Sequence, residues 1–300
     1  MNPLAHAALA TKATIVSPFR HARLRRLAVR SKAPLSVLFY HRVANSHPND
    51  WTISRETFRQ HIEYCIQNFE MIGLGEVQRR VREMDSCIPA ASITFDDGYA
   101  DNCDFALPLL IQHKVPCTYF VTTDNVRNAS PFPHDVSSGT PLRINNWNQI
   151  REMSDEGIEI GCHTRTHVDF SRVHDPNVVW REIVESKLEI EQQIGKRVRY
   201  FAFPYGMPCQ LTQMAIEAVN EAGFDGFCSA YGGYNLVGED SFHIRRFHGD
   251  PQSARLKNWL SFDARKLRQQ PEIRYFLPPM QTFQDTFGPA SSSACLLSKS

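Results

Sequence analysis

The sequence has no long hydrophobic run, no closely spaced cysteine pair and no internal repeat. No stretch approaches the roughly 18 consecutive apolar residues of a transmembrane helix, so we expect no membrane span. The eight cysteines stand singly, without a C-x-x-C pair. This scatter argues against a disulfide framework and favours free thiols in a reducing compartment.

Acidic residues are absent from the first 49 positions, which carry eight Lys or Arg. The net charge of +1 is therefore unevenly distributed, because residues 50–300 contain 25 bases and 32 acids. Arginines at 20, 23, 25, 26 and 30 interrupt any apolar run of signal-peptide length, so we expect a cytoplasmic protein. The basic segment is interpreted as a disordered tail, as a peripheral contact with an anionic membrane, or as a transit peptide in a eukaryote.

The 300 residues, 42% apolar and 22% charged, are typical of a soluble globular protein that can bury a large core. We divide the chain into a basic acid-free arm (1–33), a folded domain (34–250) and a C-terminal extension with a Ser-rich tail (251–300). No feature of the chain indicates a nucleic-acid module or a required protein partner.

Apolar segments rich in β-branched and aromatic residues alternate with segments of helical periodicity, which predicts parallel β/α architecture. A Pro-, Ser- and Gly-rich stretch over 129–146 predicts a long loop. The predicted strands are 35–40, 92–95, 115–122, 158–160, 199–203 and 242–247, and the predicted helices include 54–70, 147–156, 176–194 and 211–222.

Two short motifs follow predicted strands and carry the most chemistry. The first, Thr94 to Gly98, contains the adjacent carboxylates Asp96 and Asp97, and the second contains His163 and His167. Two imidazoles four positions apart and one carboxylate make a three-ligand metal site, and the second carboxylate remains free to act as a base. The pattern predicts a metal-dependent hydrolase.

These motifs, together with Phe201 to Gly206, resemble the signature blocks of the polysaccharide deacetylases, the NodB homology domain of carbohydrate esterase family four. The resemblance runs from about Leu35 to Asp250 in block order, and it is strongest to deacetylases linked to exopolysaccharide synthesis. It implies a distorted (β/α) barrel of about seven parallel strands, a divalent metal and hydrolysis of N-acetyl groups from amino sugars. Zinc is the expected metal, while Co²⁺, Ni²⁺ and Mn²⁺ also suit an Asp/His/His set.

The resemblance also implies individual roles. Asp97, His163 and His167 would bind the metal, and Asp96 would be the catalytic base. The backbone N–H of Tyr205 would stabilise the oxyanion. Pro204 and Tyr205 would also line the substrate site, where the Tyr205 ring offers an aromatic surface to a sugar.

Two departures from the family pattern concern catalysis. Ala202 stands where many members have an arginine that pairs with the catalytic aspartate. Arg245 and Arg246 are the candidates to replace it, and strand alternation lets only one of them face the barrel interior. We favour Arg246, because Phe247 would then point outward beneath the helices. His248 is the nearest match to the family's general acid, although its flanking residues differ, and the alternative is an ordinary loop histidine.

Three further residues are candidates for substrate recognition. His41, at the end of the first strand, is an alternative acid or a substrate-binding group, or else a structural histidine. His134 and Tyr231 lie in loops that would border the cleft, and the alternative for each is an ordinary loop residue. We expect an N-deacetylase of carbohydrate metabolism acting on an N-acetylated saccharide; the alternatives are an amidohydrolase for a small non-sugar amide and an inactive sugar-binding protein.

Overall fold

The computed structural model describes residues 19–20 and 22–277. Most strands are short and fully buried, and the two longest, Leu35–Tyr40 and Ala90–Phe95, are apolar over nearly their whole length. The strands are β1 (Leu35–Tyr40), β2 (Arg42–Val43), β3 (Thr52–Ile53), β4 (Glu70–Met71), β5 (Ala90–Phe95), β6 (Cys117–Val121), β7 (Glu159–Cys162), β8 (Tyr200–Ala202), β9 (Gly226–Cys228), β10 (His243–Ile244) and β11 (Phe247–His248).

Nine of these strands form one parallel sheet in the order β10-β9-β8-β7-β6-β5-β1-β11, with β4 paired to β5. Strands β10 and β11 lie at opposite edges of this order, yet only Arg245 and Arg246 separate them in sequence. Two residues span less than about 11 Å even when fully extended. The two edges must therefore meet, and the sheet curls into a distorted barrel.

Helices surround the sheet and connect successive strands. Their N-termini carry the expected caps: Ser54 accepts a hydrogen bond from the Thr57 backbone N–H, and Asn146 forms a capping box with Gln149. The helices are α1 (22–29), α2 (Arg55–Asn68), α3 (Leu74–Glu83), α4 (Asp101–Asp104), α5 (Ala106–Gln112), α6 (Thr123–Asn128), α7 (Pro133–Ser137), α8 (Trp147–Asp155), α9 (Pro176–Trp180), α10 (Ser186–Ile194), α11 (Gln213–Glu221), α12 (Ser253–Leu260) and α13 (Ala264–Gln269).

Segments outside the predicted domain boundaries of 34 and 250 pack onto the barrel. Leu24 of α1 and Leu260 of α12 belong to the main hydrophobic core, and Arg20 pairs with Asp263 at 3.3 Å. The first 18 residues of the predicted basic arm and most of the predicted Ser-rich tail lie outside the described residues. Within 19–20 and 22–277, no helix is long and apolar enough to cross a bilayer.

The predicted fold class is confirmed, while three elements differ from the prediction. The strand expected over 242–247 is two short strands, because the chain passes from one sheet edge to the other between Ile244 and Phe247. The helix expected over 176–194 contains a π-helical turn, Arg181–Glu185. The long loop expected over 129–146 contains the helix Pro133–Ser137, which starts with its proline in the first turn.

The cysteines described in the structure are all free thiols, as expected from their scatter. Four of them are buried in the core, and burial raises the pKa of the Cys65 and Cys162 thiols to about 12. Two, Cys87 and Cys209, are exposed.

Candidate metal centre and active site

The register of the parallel sheet brings the chemically rich residues to one end of the barrel. Tyr40 pairs with Phe95, so His41 and Asp96 leave neighbouring strands side by side. Val121 pairs with Cys162, so His163 leaves the sheet at the same end. The carboxyl ends of parallel strands are where α/β folds build their sites.

Three side chains at this end form a ligand set for a metal ion. The Nε2 atoms of His163 and His167 each lie 3.4 Å from Oδ1 of Asp97, and all three ligand atoms lie within 4.8 Å of one another. Two ligand atoms about 2.1 Å from one tetrahedral ion stand about 3.4 Å apart. Oδ1 of Asp97 is buried and has no hydrogen-bond partner among the described residues. This donor set fits a divalent transition metal.

The surrounding structure fixes the orientation of His163. Its Nδ1 lies 2.7 Å from the backbone oxygen of Ala202, which leaves Nε2 directed at Asp97. A histidine that ligates a metal usually donates its other ring N–H in this way. Burial raises the pKa of Asp97, but the neighbouring imidazoles of His163 and His167 outweigh burial and leave that pKa well below its usual value.

The turn that carries both histidines is held by Glu182, which lies in the π-helical segment. One oxygen of the Glu182 carboxylate accepts hydrogen bonds from the backbone N–H groups of Arg165 and Thr166, at 3.1 and 2.9 Å. The other oxygen accepts from the Thr166 hydroxyl at 2.7 Å. The π turn thus aims a buried carboxylate at the loop of the predicted metal ligands, consistent with the frequent occurrence of such turns at functional sites.

Asp96 pairs with Arg246, as favoured from the sequence over Arg245. The Arg246 guanidinium donates two hydrogen bonds to the carboxylate, at 2.7 and 2.8 Å, and Arg246 is 0% exposed. Burial raises the pKa of Asp96, but the Arg246 charge opposes it and the net pKa lies below the ordinary value. Arg246, which lies between the edge strands β10 and β11, therefore supplies the positive charge that Ala202 lacks.

Asp96 and the ligand set Asp97, His163 and His167 form the floor of a cavity of about 410 Å³. Aromatic and apolar side chains make its walls, so the polar floor lies inside a largely apolar mouth, as in many small-molecule sites. The cavity is lined by Phe39, His41, Trp51, Asp96, Asp97, His134, His163, His167, Phe203, Tyr205, Met207 and Ala230.

The two histidines considered as general acid occupy different positions. His41 lines the cavity, and its buried Nδ1 has no hydrogen-bond partner among the described residues. His248 is not among the cavity-lining residues, and its ring centre lies 6.0 Å from that of His41. Burial lowers the pKa of both imidazoles, that of His248 to about 4.

Unusual backbone geometry is concentrated at the site. Of the ten non-glycine residues with positive φ in the described chain, four belong to the motifs: Asp97, Thr164, His167 and Tyr205. Such conformations cost free energy and persist where the surrounding structure imposes them. The Tyr205 turn is also tight, because a Cβ on Gly206 would lie 2.6 Å from the Ala230 backbone nitrogen.

The residues predicted to contact substrate are only partly brought together. Tyr205 packs its ring edge-on against His167 at 5.1 Å, whereas Pro204 is buried and is not among the cavity-lining residues. His134 lines the cavity and stacks on Phe132. Tyr231 lies elsewhere, with its ring 5.8 Å from that of His243 and its side chain outside the cavity lining.

Trp51, Met207 and Glu182 were not predicted as site residues. Trp51 and Met207 lie on loops without a recognisable motif, and only the folded chain brings them to the cavity. Glu182 sits in a segment of ordinary helical pattern, and the π turn that aims it leaves no signature in the sequence.

Comparison with known proteins agrees with this architecture. IcaB from Ammonifex degensii superposes with a TM-score of 0.64 at 23% identity, covering 76% of this chain and 97% of that one. The deacetylase PplD of Streptococcus pyogenes, solved in complex with acetate, gives a TM-score of 0.62 at 18% identity, covering 75% of this chain and 97% of that one. At these identities, the two structures support the fold.

Sequence comparison supports the family. A chitooligosaccharide deacetylase of Bradyrhizobium is 31% identical over 140 residues, which are 46% of this chain and 55% of that protein. The Bacillus subtilis protein YxkH is 23% identical over 190 residues, 62% of this chain and 61% of that protein. The chain thus matches between about half and three fifths of the length of these curated relatives. The family model described as polysaccharide deacetylase matches residues 84–227, which contain both motifs.

Proposed function

We propose that this protein is a metal-dependent N-deacetylase that hydrolyses the N-acetyl amide of an N-acetylated saccharide. The observation that carries the proposal is the joint placement of two units in one cavity: a ligand set with 3.4 Å spacings and the Asp96–Arg246 pair beside it. The similarity to a chitooligosaccharide deacetylase supports amino-sugar oligomers as the substrate class.

Asp97, His163 and His167 would hold the metal. A divalent ion bound there would lower the pKa of a water molecule to near 7 and would polarise the amide carbonyl. Asp96, adjacent to Asp97, accepts the proton of the attacking water. Arg246 keeps Asp96 ionised and therefore competent as a base. Tyr205, which lines the cavity, would offer its backbone N–H to the oxyanion.

His41 is the better placed donor for the leaving amine. Collapse of the tetrahedral intermediate breaks the C–N bond, and the departing nitrogen needs one proton. His41 lines the same cavity as Asp97, His163 and His167, whereas His248 is not among the cavity-lining residues. In this proposal His248 packs beside His41, with ring centres 6.0 Å apart, rather than acting as the acid itself.

The wider role in the proposal is the synthesis of a cell-surface or exopolysaccharide, in the cytoplasm or at a membrane surface. The support is the resemblance of the three sequence blocks to that subgroup, and the basic character of the first 49 residues. In the described part of this segment, the exposed basic residues are Arg23, Arg25, Arg26, Arg30 and Lys32. These residues are available for an anionic surface.

The experiment that tests the proposal is acetate release from N-acetylglucosamine oligomers by zinc-loaded protein. We expect release by the wild type, loss of release with retained zinc in Asp96→Asn, and loss of both in His163→Ala. Asp104→Asn is the matched control, because Asp104 is half-exposed on α4 and is not among the cavity-lining residues.

The results separate the alternatives. A protein that binds zinc but releases no acetate from any oligomer would direct the search toward small amides. A protein that binds no metal would contradict the mechanism and favour a sugar-binding role.

A further inference from the structure

Trp51 is a large aromatic side chain that lies at the cavity and does not serve the core. It is 47% exposed, and it belongs neither to the buried hydrophobic clusters nor to the partly buried residues packed against them. Its ring neighbours are instead the imidazoles of His41, at 4.8 Å, and His248, at 6.0 Å. Core packing therefore does not account for its position.

The loop that presents Trp51 is firmly held. Arg42, almost fully buried, pairs with Asp101 at 2.7 Å and donates hydrogen bonds to the backbone oxygens of Ser46 and His47, at 3.0 and 2.8 Å. The Trp51 backbone N–H donates to the Asn49 side chain at 3.1 Å. An exposed indole on such a loop keeps its position without a ligand, which lowers the entropic cost of using it as a binding surface.

Asn49 also connects the two sides of the cavity mouth. Its amide nitrogen lies 3.3 Å from Oδ1 of Asp135, which accepts from the Tyr99 hydroxyl through its other oxygen at 2.9 Å. Asp135 immediately follows the cavity-lining His134. The Trp51 loop and the His134 segment are thus fixed relative to each other.

The depth of the cavity separates two kinds of contact. Asp96 and Asp97 on the floor are only 3% and 4% exposed, whereas Trp51, Tyr205 and Met207 at the mouth are each about half exposed. An N-acetyl group must reach the floor to react. A pyranose ring exposes C–H groups on its faces, and these suit the electron-rich face of an indole.

We propose that Trp51 is a sugar-binding platform, on which a pyranose ring next to the reacting residue stacks, so that the enzyme prefers oligomers to monosaccharides. This inference rests on the proposed deacetylase function and deepens it. It assigns to Trp51 a role in substrate affinity and none in the chemical step.

The test compares Trp51→Ala, Trp51→Phe and the control Trp180→Ala in the zinc-loaded full chain. Trp180, on α9, is exposed to a similar degree (50%) but lies outside the cavity lining. With N-acetylglucosamine tetramer, Trp51→Ala should raise KM roughly 10- to 100-fold at nearly constant kcat. Trp51→Phe should retain most of the affinity, and Trp180→Ala should match the wild type. Hydrolysis of 4-nitrophenyl acetate, which has no sugar ring, is measured in each protein to report on the catalytic groups separately, and in this assay too Trp180→Ala should match the wild type.

Tetramer binding is measured separately by titration calorimetry in the Asp96→Asn background, with and without Trp51→Ala. Trp51-dependent binding, without any acetate release by the protein that retains Asp96, would uphold the platform and overturn the deacetylase. Acetate release with a KM unaffected by Trp51→Ala would overturn the platform alone. Equal losses of tetramer and ester turnover would also overturn it, because Trp51 would then act by shielding His41. Absence of both binding and turnover would overturn both proposals.

Discussion

Replacement of Arg246 by methionine should destabilise the protein more than any surface substitution. The guanidinium is fully buried and donates two hydrogen bonds to Asp96, one to the Ser229 backbone oxygen at 3.0 Å and one to the Thr94 hydroxyl at 3.1 Å. Methionine would leave the buried Asp96 carboxylate without its counter-ion. Removal of one partner from such a pair typically costs about 3–5 kcal/mol of the free energy of unfolding. In a domain of this size, that loss lowers Tm by roughly 6–20 °C.

The sign of the pH dependence follows from the lowered pKa of Asp96. Arg246 stabilises the ionised carboxylate, so its contribution is present above the ordinary aspartate pKa of about 4 and is lost as pH falls below it. In Arg246→Met, the pKa of Asp96 should rise, since burial then acts without opposition. The stability difference between wild type and variant should therefore be large at pH 7 and shrink in acid.

Urea unfolding of metal-free protein at pH 7 measures the effect, and a second variant tests its cause. Asp96→Leu combined with Arg246→Met removes both charges and should recover most of the lost stability. Arg127→Met is the control, because Arg127 is partly exposed and its surface pairs are worth about 1 kcal/mol or less. A loss below about 1 kcal/mol in Arg246→Met, or no recovery in the double variant, would refute the reasoning.

Two further predictions concern metal binding and acid stability. Zinc at 100 times its Kd should raise the free energy of unfolding by about 2.7 kcal/mol, and His167→Gln should abolish most of the accompanying rise in Tm, measured by calorimetry. Burial lowers the pKa of His61 to about 4. Between about pH 6.5 and pH 4, His61 is therefore protonated in the unfolded chain and neutral in the folded protein. His61 alone should therefore cost about 2 kcal/mol of stability between pH 7 and pH 5, and His61→Leu should remove that loss in urea titrations while the exposed control His113→Gln should not.

Local sequence pattern was sufficient for the elements that carry the motifs. The strand predicted over 35–40 and the strand end at Phe95 agree with the structure, because buried parallel strands appear as continuous apolar runs bounded by polar residues. The helix after Ser54 was predicted from its cap and its apolar spacing, and both are observed. Since Asp96 and His163 directly follow strands, their convergence at one end of the sheet could also be predicted.

Features that depend on contacts distant in sequence could not be predicted in the same way. The segment 242–247 does not show that its halves belong to opposite sheet edges. That division depends on the pairing of β10 with β9 and of β11 with β1, and these partner strands lie elsewhere in the sequence. The placement of Trp51 depends on Arg42 and Asp101, which are 59 positions apart. The local periodicity of a sequence cannot predict a contact between residues so far apart.

The origin of the Asp96 counter-ion connects catalysis to barrel closure. An arginine at position 202 would have reached Asp96 from within the sheet, whereas Arg246 reaches it from the two-residue link between the first and last edges. Arg246 can make its bidentate contact only when β11 is paired with β1 and β10 with β9. A chain whose edges have not met would leave Asp96 without its partner and its pKa raised by burial. The proposed base, Asp96, is therefore expected to become competent only as the barrel closes, so that substitutions that weaken β10 or β11 should lower activity together with stability.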